Sequence, residues 1–204
     1  MRSSLLLAIV MLLFWGTTGI GDAALYDRGG GLIYDSDLGI TWLQDANYGA
    51  GSSYDNGVPT DGKMSWQNAM DWADALSYYD SVRDTYWNDW RLPTTPGSGT
   101  GNLNEGEMGH LYYDHNINAS SMDVFSNVQS YHYWTDHTQT GDPGNAYAFG
   151  FNSSNGGSQR LYDKTATLNA WAVREGDVVP IPGAVWLLGS GVIGLVVVRR
   201  RFTK

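Results

Sequence analysis

Between residues 24 and 177 the apolar positions occur mostly in short runs separated by turn-forming residues. These runs predict β-strands because Gly, Asp, Asn and Ser clusters bound each of them. The predicted strand regions are residues 25–35 (two strands around three glycines), 38–43, 131–135, 146–151 and 169–174. Residues 47–62 predict a loop, and Gly156 and Gly157 predict a hairpin tip.

Two segments instead show helical periodicity. In residues 65–79 the apolar side chains Trp66, Ala69, Met70, Ala73 and Leu76 recur on one helical face, and Ser65 is a suitable N-cap. Residues 105–113 predict a second helix, with Asn104 and Glu107 spaced as a capping box. Strands, two helices and then further strands predict an α+β fold class with a small, mostly antiparallel sheet.

Hydrophobic segments flank this region at both ends of the chain. Arg2 followed by an apolar run at residues 5–15 is typical of a secretory signal peptide, and we expect cleavage after Ala23. Residues 181–198 form an uncharged run of 18 residues, followed by a basic tail that begins Arg199, Arg200 and Arg201. That run predicts a transmembrane helix with its C-terminus in the cytoplasm.

The C-terminal segment, residues 178–204, resembles a PEP-CTERM-type sorting signal in its Val-Pro-x-Pro variant. The resemblance rests on Val179, Pro180, Ile181 and Pro182, the apolar run, and the three arginines. It implies a partner of the exosortase type, a membrane protease-transpeptidase that would cleave near the proline motif. Membrane attachment would then precede release to the cell surface or extracellular matrix.

Charge and composition restrict the function classes. Without the two end segments, seven basic and 20 acidic residues remain, which is a net charge of −13 for residues 24–177. This charge argues against nucleic-acid binding, which needs clustered Lys and Arg. The absence of Cys from the chain excludes thiol catalysis and thiolate zinc sites.

Several motifs in residues 24–177 resemble the Lcl C-terminal domain family, long catalogued as a domain of unknown function. They include Gly31-Leu32-Ile33-Tyr34-Asp35, Trp90-Arg91-Leu92-Pro93-Thr94, Tyr133-Trp134-Thr135 and Ala172-Val173-Arg174. The resemblance implies a C-type-lectin-like fold in which the first and last strands pair. It implies no catalytic residues, because the enzymes of that fold use cysteines or a histidine cluster that this chain does not reproduce.

The candidate site residues each have a functional and a structural interpretation. Arg91 in the Trp90–Thr94 motif either binds a carbohydrate or carboxylate group or pairs with a nearby acid, and the structural role is favoured. Asp35, Asp37, Asp45 and Asp55 either bind calcium or serve turn chemistry. A zinc site formed by His110, His115, His132 and His137 is disfavoured, because His132 and His137 would face opposite sides of a strand.

The number of aromatic residues exceeds what two helices and a small sheet must bury. Trp87, Tyr133 and Trp134 are candidates for stacking on sugar rings, and filling the core is the alternative. We therefore expect an exported surface or matrix protein that binds or organises extracellular polysaccharide without catalysis. Two alternatives remain open: a structural or adhesion protein that contacts other proteins, and a cryptic glycan hydrolase that uses paired carboxylates.

Overall fold

The computed structural model of the protein describes residues 24–154 and 156–178. The described chain is mostly β, with about 32% of its residues in strands and 11% in helices. The predicted α+β class is therefore wrong. The physical reason is that the two helices, of 10 and 7 residues, are short, whereas the strands supply most of the buried side chains.

The first sheet has four antiparallel strands in the order β1-β2-β3-β12. They are β1 (Leu25–Asp27), β2 (Leu32–Asp35), β3 (Ile40–Leu43) and β12 (Val173–Glu175). Strands β1 to β3 lie where the apolar runs predict them. The expected pairing of the first and last strands is not found, because β1 pairs with β2 and β12 pairs with β3 at the opposite edge.

The second sheet has six strands in the order β4-β11-β8-β9-β10-β7. They are β4 (Lys63–Met64), β7 (Gly101–Asn102), β8 (His132–Thr138), β9 (Asn145–Gly150), β10 (Ser158–Asp163) and β11 (Leu168–Asn169). Only β11 and β8 run parallel among the described pairs. The predicted run at residues 169–174 is thus divided between two sheets, which connects them covalently.

A separate two-stranded hairpin consists of β5 (Tyr78–Asp80) and β6 (Thr85–Trp87). The helical pattern at residues 65–79 extends into this hairpin, so the sequence predicted helix where β5 forms. The sequence pattern that indicates the hairpin is a pair of aromatic residues on each side of the turn residues at 81–84.

The two helices are α1 (Trp66–Ala75) and α2 (Glu107–Tyr113). Ser65 caps α1 as predicted, since its side chain accepts a hydrogen bond from Asn68 N. Helix α2 lacks the predicted capping box: its N-cap is Gly106, without a side-chain cap. A Cβ at Gly106 would lie 3.1 Å from Thr94 O, so the close approach of two backbones favours glycine here.

Aromatic side chains dominate the core. Trp171 lies at the centre, with ring centroids 5.0 Å from Trp42, 5.0 Å from Phe125 and 5.7 Å from Tyr133 and Phe151. Its indole Nε1 donates a 2.7 Å hydrogen bond to Leu43 O. The T-shaped and tilted geometries are those that aromatic quadrupoles favour.

Several sequence predictions lie outside the described residues. These are the signal peptide (residues 1–23), the proline motif, the apolar run at 181–198 and the basic tail. Within residues 24–154 and 156–178, neither helix has the length and hydrophobicity needed to cross a membrane. Val178, which the sequence placed in the sorting segment, packs in the core of the domain.

Candidate functional site

The β5–β6 hairpin presents two tyrosines to solvent. Tyr79 and Tyr86 are directly opposite each other in the antiparallel register, and their ring centroids are 5.0 Å apart at a tilt of 43°. Tyr79 is 47% exposed and Tyr86 is 65% exposed. The hydroxyl of Tyr79 donates a 2.7 Å hydrogen bond to Asp84, which restricts its ring orientation. We call these two residues the tyrosine pair.

Asp80 holds the turn of this hairpin in place. Its Oδ1 accepts hydrogen bonds from the backbone N–H groups of Val82 and Arg83, and its Oδ2 accepts from the Arg83 guanidinium at 2.6 Å and from Trp87 Nε1 at 3.2 Å. Burial raises the pKa of Asp80, but the hydrogen bonds from Arg83 and Trp87 outweigh burial and lower the pKa below its ordinary value. The hairpin therefore has a rigid, charge-compensated turn.

The hairpin docks on the turn that joins β1 to β2. Tyr78 OH donates a 2.8 Å hydrogen bond to Gly30 O. Gly30 and Gly31 have φ values of 65° and 79°, and a Cβ on them would lie 2.5 Å from Asp80 Oδ1 and 2.2 Å from Tyr78 OH. The glycines are needed both for the left-handed backbone and for the close approach of the hairpin.

The Trp90–Thr94 motif has a structural role. The Arg91 backbone pairs with Val173 of β12 through two hydrogen bonds of 2.8 and 2.9 Å. The Arg91 guanidinium donates to both carboxylate oxygens of Glu107 at 2.8 and 2.7 Å, and also contacts Glu175. Trp90 and Leu92 are buried. The motif therefore joins the first sheet to α2.

Electrostatics agree with this structural role of Arg91. Burial lowers the pKa of the guanidinium, but its hydrogen bonds to Glu107 and Glu175 outweigh burial and raise the pKa above its ordinary value. Glu107 Oε2 also accepts a 2.8 Å hydrogen bond from Thr94 N. Since both carboxylate oxygens of Glu107 are engaged within the protein, the geometry matches the acid-paired interpretation of the motif.

The three aromatic residues that the sequence suggested for ligand binding do not form a surface. Tyr133 and Trp134 are 0% exposed, so they offer no face on which a sugar could stack. Trp87 is partly exposed, but the guanidinium of Arg174 lies 4.2 Å from the centroid of its ring. The tyrosine pair, with its two contacting exposed rings, provides an aromatic surface instead.

Two of the four calcium candidates and two of the four histidines lie close together in the structure. Asp35 at the end of β2 and Asp37 in the turn that follows lie beside His110 of α2 and His115, which follows that helix. One potential ligand atom from each residue lies within 4.8 Å of the others. We call these four residues the Asp–His cluster. From the sequence alone, the two aspartates were candidates for calcium binding, and the two histidines belonged to a disfavoured zinc site.

The remaining candidates are elsewhere and serve local structure. Asp45 Oδ1 accepts hydrogen bonds from Asn47 N and Asn127 Nδ2, and Asp55 accepts from Gly51 N and Gly57 N. The contacts with Asn47, Gly51 and Gly57 are local turn contacts, whereas Asn127 is distant from Asp45 in the chain. His132 contacts Tyr162, with ring centroids 5.1 Å apart.

His132 makes stability depend on pH. Burial, with a contribution from Arg160, lowers the pKa of His132 to about 4 from its ordinary value of 6.5. The unfolded chain therefore binds this proton more readily, and the free energy of unfolding falls as pH drops from 6.5 towards 4. In urea unfolding at pH 7 and pH 4.5, His132→Gln should show a smaller loss of stability than the wild type, by up to about 1.4 kcal/mol per pH unit.

The comparison is made between His132→Gln and the wild type. The other histidine of the strand, His137, contacts Asp136, where burial raises the pKa of the carboxyl and the hydrogen bond with His137 lowers it, so replacement of His137 would itself change the pH dependence. Since the carboxylates titrate alike in the wild type and His132→Gln, their contribution cancels in the comparison. Equal pH dependence of the wild type and His132→Gln would contradict the prediction.

The basic side chains of the domain are largely engaged. Six of the seven basic residues at 24–177 contact an acid or an aromatic ring: Arg28, Lys63, Arg83, Arg91, Lys164 and Arg174. The domain therefore combines a strong negative charge with few cations directed at solvent. Such a surface repels polyanions.

Comparison with known proteins gives one match. A family model described as the Lcl C-terminal domain matches residues 31–174 of the chain. No curated protein and no solved structure matches. The matched region begins at the glycine turn beneath the hairpin and ends at Arg174 in β12, so it includes the tyrosine pair, the Trp90–Thr94 motif and the Asp–His cluster.

Proposed function

The chain belongs to the Lcl C-terminal domain family, and we propose that it is an exported surface or matrix protein that binds neutral polysaccharide without catalysis. The observation that carries the proposal is the exposed tyrosine pair on a hairpin whose turn is fixed by Asp80. Tyr side chains offer a large contact area with few rotatable bonds, so they lose little entropy on binding. Two adjacent rings match the repeating rings of a polysaccharide.

Charge supports a neutral ligand over an acidic one. The net charge of −13 at residues 24–177 opposes the approach of a polyanion. Stacking on tyrosine needs only an apolar sugar face and is independent of ligand charge. Neutral glucans and mannans therefore fit this surface better than uronate polymers.

A shallow depression beside the Trp90–Thr94 motif bears on the glycan hydrolase alternative. Glu105 is the one carboxylate among its lining residues. A glycoside hydrolase of the usual type needs a pair of carboxylates that flank the scissile bond. This depression therefore does not favour the hydrolase alternative over glycan binding.

Export and sorting are supported by the order of the sequence motifs. Residues 1–23 have the charge and length of a signal peptide, and the Val-Pro-Ile-Pro motif at 179–182 precedes an apolar run and three arginines. On this proposal the partner is an exosortase-type sorting protease acting near the proline motif. The domain would then operate at the cell surface or in the extracellular matrix.

Substitution of the tyrosine pair tests the binding proposal. Tyr86→Ala should weaken binding of the purified full chain to a neutral polysaccharide about tenfold, which corresponds to about 1.4 kcal/mol. Affinity electrophoresis in gels that contain a glucan, a mannan or alginate measures the effect. We expect retardation of the wild type by a neutral polymer and none by alginate.

Tyr131→Ala is the matched control, because Tyr131 has a similar exposure of 43% but lies beside the second sheet. It should bind like the wild type. The proposal fails if the wild type is not retarded by any neutral polymer, or if Tyr79→Ala and Tyr86→Ala bind as well as Tyr131→Ala. Self-association without glycan binding would favour a structural or adhesion protein.

A further inference from the structure

The Asp–His cluster joins two parts of the chain that are distant in sequence. Asp35 ends β2 in the first sheet and Asp37 lies in the turn after it, whereas His110 belongs to α2 and His115 follows that helix. The potential ligand atoms of all four side chains lie within 4.8 Å of one another. Asp37 lies at the solvent-exposed side of the cluster and Asp35 at its buried side.

Asp35 has an unsatisfied oxygen directed into the cluster. The residue is 0% exposed, and its Oδ1 accepts hydrogen bonds from Asp37 N at 3.0 Å and Leu38 N at 3.2 Å. Its Oδ2 is buried without a hydrogen-bond partner. His110 Nε2 lies 3.6 Å from this oxygen, which is beyond hydrogen-bond distance. An unpaired buried carboxylate oxygen is costly, so this atom points to a cation-binding role.

His110 is held in an orientation suited to metal binding. Its Nδ1 lies 2.7 Å from Asp114 Oδ2, and because an ionised carboxylate only accepts hydrogen bonds, Nδ1 carries the proton. Its Nε2 then faces Asp35, Asp37 and His115. A carboxylate that orients a histidine through its second nitrogen is the usual outer-shell arrangement around metal ions.

The separations from His110 Nε2 are close to the edges of a coordination tetrahedron. This atom is 3.1 Å from His115 Nε2, 3.6 Å from Asp35 Oδ2 and 3.5 Å from Asp37 Oδ2. With zinc–ligand bonds of about 2.0–2.2 Å, neighbouring ligand atoms in a tetrahedron are ~3.3–3.6 Å apart. Since the potential ligand atoms of all four residues lie within 4.8 Å of one another, modest side-chain movements would bring them around one ion.

The chemistry of the four side chains selects the class of ion. Calcium and magnesium prefer oxygen ligands alone, whereas imidazole nitrogen suits zinc and other first-row transition ions. We propose that Asp35, Asp37, His110 and His115 bind one divalent transition-metal ion, with zinc as the foremost candidate. The ion cross-links the β2–β3 turn to the C-terminal end of α2.

Zinc titration of the full chain, after treatment with a chelator and its removal, tests this site. Isothermal titration should give one zinc ion per chain. At a hundredfold excess over Kd, zinc should raise Tm by about 5–10 °C. Calcium at the same concentration should leave Tm unchanged. Cobalt(II) should give the strong visible absorption of a tetrahedral site with nitrogen and oxygen ligands.

Substitutions separate a metal site from a network of ion pairs. His115→Ala should weaken zinc binding by at least about 100-fold, and Asp114→Asn, which affects a positioning residue, by about 10- to 100-fold. His137→Ala is the matched control, since His137 is paired with Asp136 away from the cluster, and it should bind zinc like the wild type. Circular dichroism of the metal-free variants checks that they fold.

Three results would overturn the proposal. The first is the absence of a zinc-dependent change in Tm together with no heat of binding. The second is equal zinc affinity of His115→Ala and the wild type. The third is tighter binding of calcium than of zinc. The first two would show that His110 is simply a histidine paired with its neighbouring aspartates, and the third would show that the aspartates alone bind a cation. Glycan binding is measured separately, so failure of one proposal does not affect the other.

Discussion

Replacement of Trp171 by alanine is expected to lower the free energy of unfolding by about 3–5 kcal/mol. Trp171 is fully buried and contacts Trp42, Phe125, Tyr133 and Phe151. Its position in the segment between β11 and β12 means that it packs where the two sheets meet. Alanine would leave a cavity there, and it would also remove the hydrogen bond to Leu43 O.

Urea unfolding followed by intrinsic fluorescence and circular dichroism measures this loss. Trp66→Ala is a suitable control, because Trp66 is only partly buried at the start of α1, with Lys164 Nζ 3.9 Å from its ring centroid. Its cost should be about 1–2 kcal/mol, since less apolar area leaves the core. A loss below about 2 kcal/mol for Trp171→Ala would show that the core collapses around the cavity, contrary to the expectation.

The second large effect is expected at Glu107. Glu107→Ala should destabilise the domain by about 3–5 kcal/mol, because it leaves the half-buried Arg91 guanidinium without its main partner. The backbone N–H of Thr94 would also lose its acceptor. This result would identify the Trp90–Thr94 motif as a structural connection between the first sheet and α2.

Glu175 provides a control on the same arginine. It contacts Arg91, but its side chain is 72% exposed, so Glu175→Ala should cost less than about 1 kcal/mol. The double variant Arg91→Met with Glu107→Leu should be more stable than Glu107→Ala, because no unpaired buried charge remains. Equal losses for Glu107→Ala and Glu175→Ala, measured by denaturant unfolding, would contradict the structural role.

The two proposed sites lie at opposite ends of one short strand. The glycine turn beneath the hairpin precedes β2, and the acidic turn of the Asp–His cluster follows it. A strand of four residues is about 13 Å long. The separation means that zinc can stabilise the domain without contacting the tyrosine pair. Substitutions at one site therefore provide folded controls for the other.

Local features of the chain were predictable from the sequence. The positions of β1 to β3, the cap of α1 at Ser65 and the turn role of Asp45 and Asp55 depend on residues within a few positions of each other. Turn chemistry and helical periodicity are properties of such short segments, so the sequence determines them. The acidic charge of the domain also follows directly from the residue counts.

The fold class and both sites depended on the tertiary structure. Periodicity cannot tell that Tyr78 and Tyr79 leave the helical pattern for a hairpin, or that Tyr133 and Trp134 face the core on β8. Periodicity also cannot predict that Asp35 lies near His110, because 74 residues separate them in the chain. Only the packing of α2 against the β2–β3 turn places them close together. The sequence by itself determined β1 to β3, the cap of α1 and the charge, whereas long-range packing decided which side chains meet.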